Sequence, residues 1–316
     1  MKTTKKQSKL LKLGAFALII AFGMILAGCP NNGDDNDGDT GTGGDTGTGG
    51  DTGTGGGTGT GGGTGTGTGG KWIVVAPESK KLLVSTDNGE TWTEKTVSDK
   101  LQGIAYGNGK WIAGVSGSNK LLVSTDNGVT WMEQTVSLRF NNIAYGNGKW
   151  IAVGGGSGSK NLLVSTDNGE TWTEQTVSLS RTCIGYGNSK WIVVSANSST
   201  NKLLVSTDNG GTWTEQTVRS EEISGLTGIA YSNGKWIVAG NKKLYVSTDN
   251  GVTWTEQTVS LNPSSIAYGN GKWIATGGYA TGAYDAKKLL VSTDNGETWT
   301  EQAVSEYCYN IAYGGQ

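Results

Sequence analysis

A chain of 316 residues with 54 Gly, 12 Trp and no His lacks the commonest general base and metal ligand. Its 25 basic and 27 acidic side chains nearly cancel, to a net charge of −2. That leaves no basic stripe to neutralise phosphates, which argues against a nucleic-acid partner.

The first 12 residues carry Lys2, Lys5, Lys6, Lys9 and Lys12, an apolar run occupies 13–26, and "LAGC" ends at Cys29. A basic start, a short apolar segment and small residues before a cleavage point predict a secretory signal over 1–28. "LAGC" resembles the lipobox of bacterial lipoproteins, which implies that Cys29 is lipidated and begins the mature chain. The expected location is then the bacterial cell envelope, with the membrane as a partner through that lipid.

Residues 30–70 are almost wholly Gly, Thr, Asp and Asn and hold nothing large enough to bury, so 29–70 reads as a lipidated cysteine followed by a flexible stalk. A Gly-rich coil of about 40 residues has a root-mean-square reach of roughly 35 Å. The run "DDNDGD" at 34–39 lacks the spacing of a calcium loop. No metal or cofactor site is expected.

Removing the five lysines of the signal and six aspartates of the stalk leaves 20 basic and 21 acidic residues in 71–316. Here one unit recurs. "STDNGETW" at 85 returns as "STDNGVTW", "STDNGETW", "STDNGGTW", "STDNGVTW" and "STDNGETW". Its aspartates are Asp87, Asp126, Asp167, Asp208, Asp249 and Asp294, spaced by 39, 41, 41, 41 and 45 residues. A companion, "IAYGNGKWIA", travels with it, and every Trp belongs to one motif or the other.

Each unit reads as four strands: "GIAY", an Asn-Gly turn, "KWIAV", "KLLVST", the Asp-Asn-Gly turn and "WTEQTV". Four short strands in about 40 residues, repeated, predict an all-β six-bladed propeller over 71–316. The domain begins at the second strand, "KWIVV", and the chain ends at a first strand, "NIAYGG". The C-terminal strand is therefore expected to enter the N-terminal blade and close the ring.

The pattern Ser-X-Asp-X-Gly-X-Thr-Trp resembles the Asp box, or BNR repeat, of sialidases and of many non-catalytic propellers. The resemblance covers 71–316 and implies that the box joins third and fourth strands on the side away from the ligand. Physics agrees: the Asp accepts backbone hydrogen bonds of its own turn, Gly supplies positive φ, and Trp can fill the wedge between blades. The six box aspartates are accordingly expected to be structural.

Where the copies differ, recognition is sought. Connections from second to third strand and from blade to blade vary, and a meander places both on one face. There stand Arg139, Phe140, Arg181, Arg219, Glu221, Glu222, Tyr279, Tyr284, Asp285, Tyr307 and Tyr309. The long loop 277–287 beside 306–310 makes the densest cluster, suited to stacking on a sugar or peptide.

Sialidases use three arginines, a Tyr–Glu pair and an acid/base Asp. Arg139, Arg181 and Arg219 stand outside that family's motif, so no catalytic residue carries over, and Glu221 and Glu222 read as solvated. The reading is a monomeric, lipid-anchored binding module for a glycan or protein. The alternatives are a sialidase-like hydrolase and a docking platform resembling photosystem II assembly factors. Cys183 and Cys308 fall in blades three apart, too far for a disulfide, and are expected to be free.

Overall fold

The computed structural model describes residues 69–154, 162–177, 182–195, 202–217, 226–277, 279–280, 283–284 and 287–315. They form six four-stranded antiparallel sheets and one small hairpin. In the second blade, for example, Leu101–Gly107, Lys110–Val115, Lys120–Ser124 and Met132–Thr135 pair in sequence order. The other blades repeat this meander. The blade that opens at Lys71–Ala76 is the exception, because its first strand is the C-terminal Asn310–Gly314.

That pairing runs from Lys71↔Gly314 to Val75↔Asn310. The first strands of successive blades also touch one another all the way round, including the step from Pro263–Gly269 to Asn310–Gly314 and on to Leu101–Gly107. The ring closes as the chain ends predict, and the N-terminal blade gains its fourth strand.

Burial follows the strand order. First and second strands are almost wholly buried, whereas fourth strands such as Thr93–Thr96 are mostly exposed. The apolar side chains gather into six clusters, each drawn from two neighbouring blades. Blades therefore cohere through their shared seams, as repeat architectures do. The Trp of each "KW" (Trp72, Trp111, Trp150, Trp191, Trp236 and Trp273) is fully buried. Each packs on the Tyr of the adjacent first strand with ring centroids 4.9–5.0 Å apart.

The repeated turn braces this packing. Ser85 Oγ donates to Asp87 Oδ1 at 2.7 Å and accepts the Gly89 N–H at 2.8 Å, while the Thr91 N–H reaches Asp87 Oδ1 at 2.9 Å. All six boxes repeat the Ser to Asp and Gly to Ser links. The box Asn sits at φ 56–60°, and its Oδ1 accepts the indole N–H of the buried Trp at 3.0–3.2 Å in every blade.

Further bonds cross to the previous blade. Lys71, Lys110, Lys149, Lys190 and Lys235 each donate to the box Asn carbonyl of the blade that follows, at 2.7–3.0 Å. Box glycines lie against an Ile of the blade before: a Cβ on Gly89 would sit 3.0 Å from Ile274 Cδ1, at a φ of +84°. Only glycine suits both the conformation and the approach.

The Thr91 hydroxyl, then the Thr91 amide and Ser85, hold the Asp87 carboxyl down to about 2, and the equivalent groups of Thr171 and Ser165 hold Asp167 at about 2. The remaining four boxes are depressed further for the same reason. A group whose folded pKa is lowered contributes stability above its unfolded value and loses it as pH falls through the folded one. Native Trp fluorescence should therefore hold down to about pH 4 and fall steeply toward pH 2. An NMR titration placing the Asp87 carboxyl at its ordinary value would contradict this.

Candidate functional site

The Asn-Gly turns and Asp boxes share one end of the ring. Asn88 Nδ2 donates to the Asn270 carbonyl of the neighbouring blade's turn at 3.2 Å, and Asn168 and Asn209 reach Asn108 and Asn147 in the same way. By strand direction the two sets of variable connections lie at the other end.

On that variable end the clearest exposed feature is the corner where the chain's last blade meets its first. Glu306 pairs with Lys81 at 2.7 Å and with Lys287 at 3.8 Å. Lys287 Nζ stands 5.4 Å from the centroid of the Tyr307 ring, within cation–π range. Tyr307 is 39% exposed, one of few large apolar side chains on the described surface. Within the long loop before Lys287 the chain forms a hairpin of its own, Tyr279–Ala280 with Ala283–Tyr284, whose register pairs Tyr279 with Tyr284. The sequence showed only a loop there.

The other candidates separate. Phe140 and Tyr309 were expected on the recognition surface, but they are 2% and 8% exposed. Phe140 begins a first strand and fills the space over Gly114, where a Cβ would lie 2.7 Å from its ring. The Tyr309 amide donates to the Val75 carbonyl at 2.9 Å as the closing strand enters. Both are core residues. Arg139 is half-buried just before the Phe140 strand. Arg181, Arg219, Glu221, Glu222, Asp285 and Cys29 lie outside the described residues.

A second group was read as variable loop and proves to be interior. The three residues before each "IAY" or "IGY" differ in every blade, and they open the first strands near the axis. At each of the six seams one of them makes a side-chain bond to the neighbouring backbone. Asn310 Oδ1 accepts the Ile104 N–H at 3.3 Å, Gln102 donates to the Phe140 carbonyl, and Asn142 Oδ1 accepts the Ile184 N–H at 3.2 Å. Cys183 Sγ donates to the Thr227 carbonyl at 2.8 Å, Thr227 Oγ1 to the Pro263 carbonyl at 2.6 Å, and Ser264 Oγ to the Tyr309 carbonyl at 2.7 Å.

These bonds make a closed polar belt. Gln102, Asn142, Cys183, Ser264 and Asn310 are all at most 3% exposed, so the belt satisfies buried backbone groups that face the axis. A sequence signal existed: the variable triplets abut an invariant buried motif.

Cys183 and Cys308 are both free and buried. Burial pushes the Cys308 thiol up to about 12, so it is no nucleophile. Among the described residues no three His, Cys, Asp or Glu side chains converge as metal ligands.

Comparison with known proteins agrees with the architecture. Residues 83–94 and 163–174 match the BNR/Asp-box repeat, and residues 201–315 match a family described as sortilin, neurotensin receptor 3. Among curated proteins no sequence matches the chain. A chain of a nidogen/laminin complex is similar in fold at 9% identity and TM-score 0.64, over 78% of this chain and 98% of that one. A protein of unknown function from Bacteroides caccae is similar at 12% identity and TM-score 0.56, over 78% and 100%. YCF48 bound to a D1 peptide aligns at 18% identity and TM-score 0.48, over 74% and 78%. The chain carries BNR/Asp-box repeats on a six-bladed β-propeller.

Proposed function

We propose that the chain is a binding module of the bacterial cell envelope, lipid-anchored through Cys29, which turns its variable-loop end away from the membrane toward a glycan or protein. The observation that carries this reading is the point where the stalk joins the ring. Gly70 packs on the Tyr313 ring and Lys71 Nζ binds the Asn127 carbonyl of an Asp box. The chain thus enters on the braced end, and strand Lys71–Ala76 leads away from it. A tether attached there leaves the opposite end unobstructed.

The braced end repeats the same contacts in nearly every blade, and a surface repeated six times offers little to select one ligand. The variable end offers Tyr307, an exposed aromatic beside Lys287, which itself pairs with Glu306, of the kind that dominates binding energy at interfaces.

The test has two arms. Fatty-acid labelling of the expressed chain should be lost in Cys29→Ser, and labelling that persists counts against the anchor. A glycan array and a cross-linked pull-down should return one ligand class, and Tyr307→Ala should weaken its binding roughly 30-fold, the equivalent of a hot spot of about 2 kcal/mol. A ligand that ignores Tyr307→Ala but is lost in Lys272→Ala, which follows the Asn270-Gly271 turn and pairs with Glu90 of an Asp box on the braced end, would overturn the assignment of face.

A further inference from the structure

Ten Asn-Gly pairs occur in residues 71–316, and the fold divides them into two environments. In the six Asp boxes the glycine N–H is held by a serine hydroxyl at 2.8–2.9 Å. The preceding Asn carboxamide is held by a buried indole N–H. The box glycines are themselves buried. The other four pairs form the turns between first and second strands, where Asn and Gly are both exposed.

Two of those four stand out. Around all four turn glycines, Gly109, Gly148, Gly234 and Gly271, a Cβ would meet nothing within 4 Å, and what separates Gly109 and Gly271 is their hydrogen bonding. Their N–H groups, and the side chains of Asn108 and Asn270, have no partner among the described residues. Asn233, by contrast, donates to the Tyr268 hydroxyl at 2.8 Å.

We propose that Asn108 and Asn270 are modification sites, losing ammonia spontaneously to become aspartyl or isoaspartyl residues, and that the fold protects the six chemically identical box pairs. The Gly109 or Gly271 nitrogen attacks the Asn Cγ, and the N–Cγ bond forms as the Cγ–Nδ2 bond breaks. The glycine proton leaves with the amide nitrogen as ammonia. Water then opens the resulting succinimide at either carbonyl. No oxidant, reductant or cofactor enters. In the boxes the same attack requires the glycine N–H to leave its serine and the carboxamide to leave its indole before the atoms can meet.

Position gives the modification a consequence. The Asn270 carbonyl accepts from Asn88 Nδ2 across the closure seam, and the Asn108 carbonyl accepts from Asn168 Nδ2. An isoaspartyl link inserts a methylene into the backbone of each turn and displaces that carbonyl. Aging should therefore loosen the seam where the C-terminal strand closes the ring.

The native full-length protein is incubated at 37 °C at pH 5, 7.4 and 9, alongside the chain unfolded in urea, and peptides are mapped by mass spectrometry with enzymatic isoaspartate labelling. Conversion at Asn108 and Asn270 should rise with pH and exceed that at every box Asn by at least about tenfold, since one hydrogen bond that must break first is worth roughly that factor in rate. In urea the sites should react alike. A native ratio below about tenfold, or no conversion at either turn while the urea control reacts, overturns the proposal. Asn270→Gly retains a turn-forming pair and removes the reacting amide. It should abolish the age-dependent rise in hydrogen exchange over Asn310–Gly314, and a rise that persists would separate the seam from the modification.

Discussion

Truncation after Tyr309 should lower the melting temperature of the native state more than any other single change in this chain. Of the seven residues removed, Asn310–Gly314 pair along the whole of Lys71–Val75. They also bury Ile311 and Ala312 completely and leave Tyr313 5% exposed. Ile311 and Tyr313 alone contribute roughly 3–6 kcal/mol of burial, against about 5–15 kcal/mol for a whole domain. The loss does not stop there. Asn310 no longer reaches the Ile104 N–H, and Tyr106 loses the Gly314 backbone it packs against. Both flanking seams open, and Trp72, Val74 and Leu83 in the cluster beneath meet water. A fall in Tm of about 10 °C or more is expected by circular dichroism. A synthetic peptide of residues 305–316 added in trans should restore it, and the same peptide carrying Ile311→Asp should not. A truncated chain that melts with the native protein would show that the ring does not depend on its closure.

That closure was legible because it rests on the most regular part of the sequence. The missing first strand before Lys71 and the orphan strand at the C-terminus complete one another by simple alignment of the copies. The Asp boxes were equally legible, since their serine, aspartate, glycine and threonine satisfy one another within a few residues. What the sequence concealed lies where copies differ, because variation has two physical causes that look alike in one chain. Surface loops vary because little constrains them. The triplets ending in Gly103, Asn142, Cys183, Gly228, Ser265 and Asn310 vary because first strands converge near the axis, and each seam solves its own polar problem. At Gly103 a Cβ would sit 2.8 Å from the Asn141 carbonyl, so that position stays bare and the preceding Gln102 supplies the bond. Elsewhere Asn, Thr, Ser or Cys supplies it. Phe140 and Tyr309, adjacent to these positions, were read as recognition residues for the same reason. Aromatic character next to a variable loop does not distinguish a ligand platform from the cap of a core. Tyr307, two residues before Tyr309 and on the same segment, is the one of the pair that the strand leaves exposed.

The two tryptophans of each blade should not be equivalent, and replacing them one at a time should separate their roles. Trp191 is fully buried, 4.9 Å from the Tyr186 ring centroid, with its indole N–H on Asn209 Oδ1 at 3.0 Å. Trp191→Ala should cost about 3–5 kcal/mol through the cavity it leaves. Trp191→Phe keeps most of the apolar volume but strips the Asn209 carboxamide of its donor, a loss of about 1–3 kcal/mol. Trp213, the Trp of the Asp box itself, is half-buried and packs on the edge of the same seam. Its replacement by Ala should cost about 1–2 kcal/mol on burial alone. Urea denaturation of the three single variants decides the order. Equal losses at Trp191 and Trp213 would return the box Trp to the role of wedge filler. The unequal order assigns that role to the companion Trp, with Asn209 as the link between it and the box. Lys149 binds the Asn209 carbonyl from the preceding blade. The Asn of five of the six boxes therefore ties a buried indole to a neighbouring blade through its two ends, and the loss of either partner weakens a seam as well as a single blade.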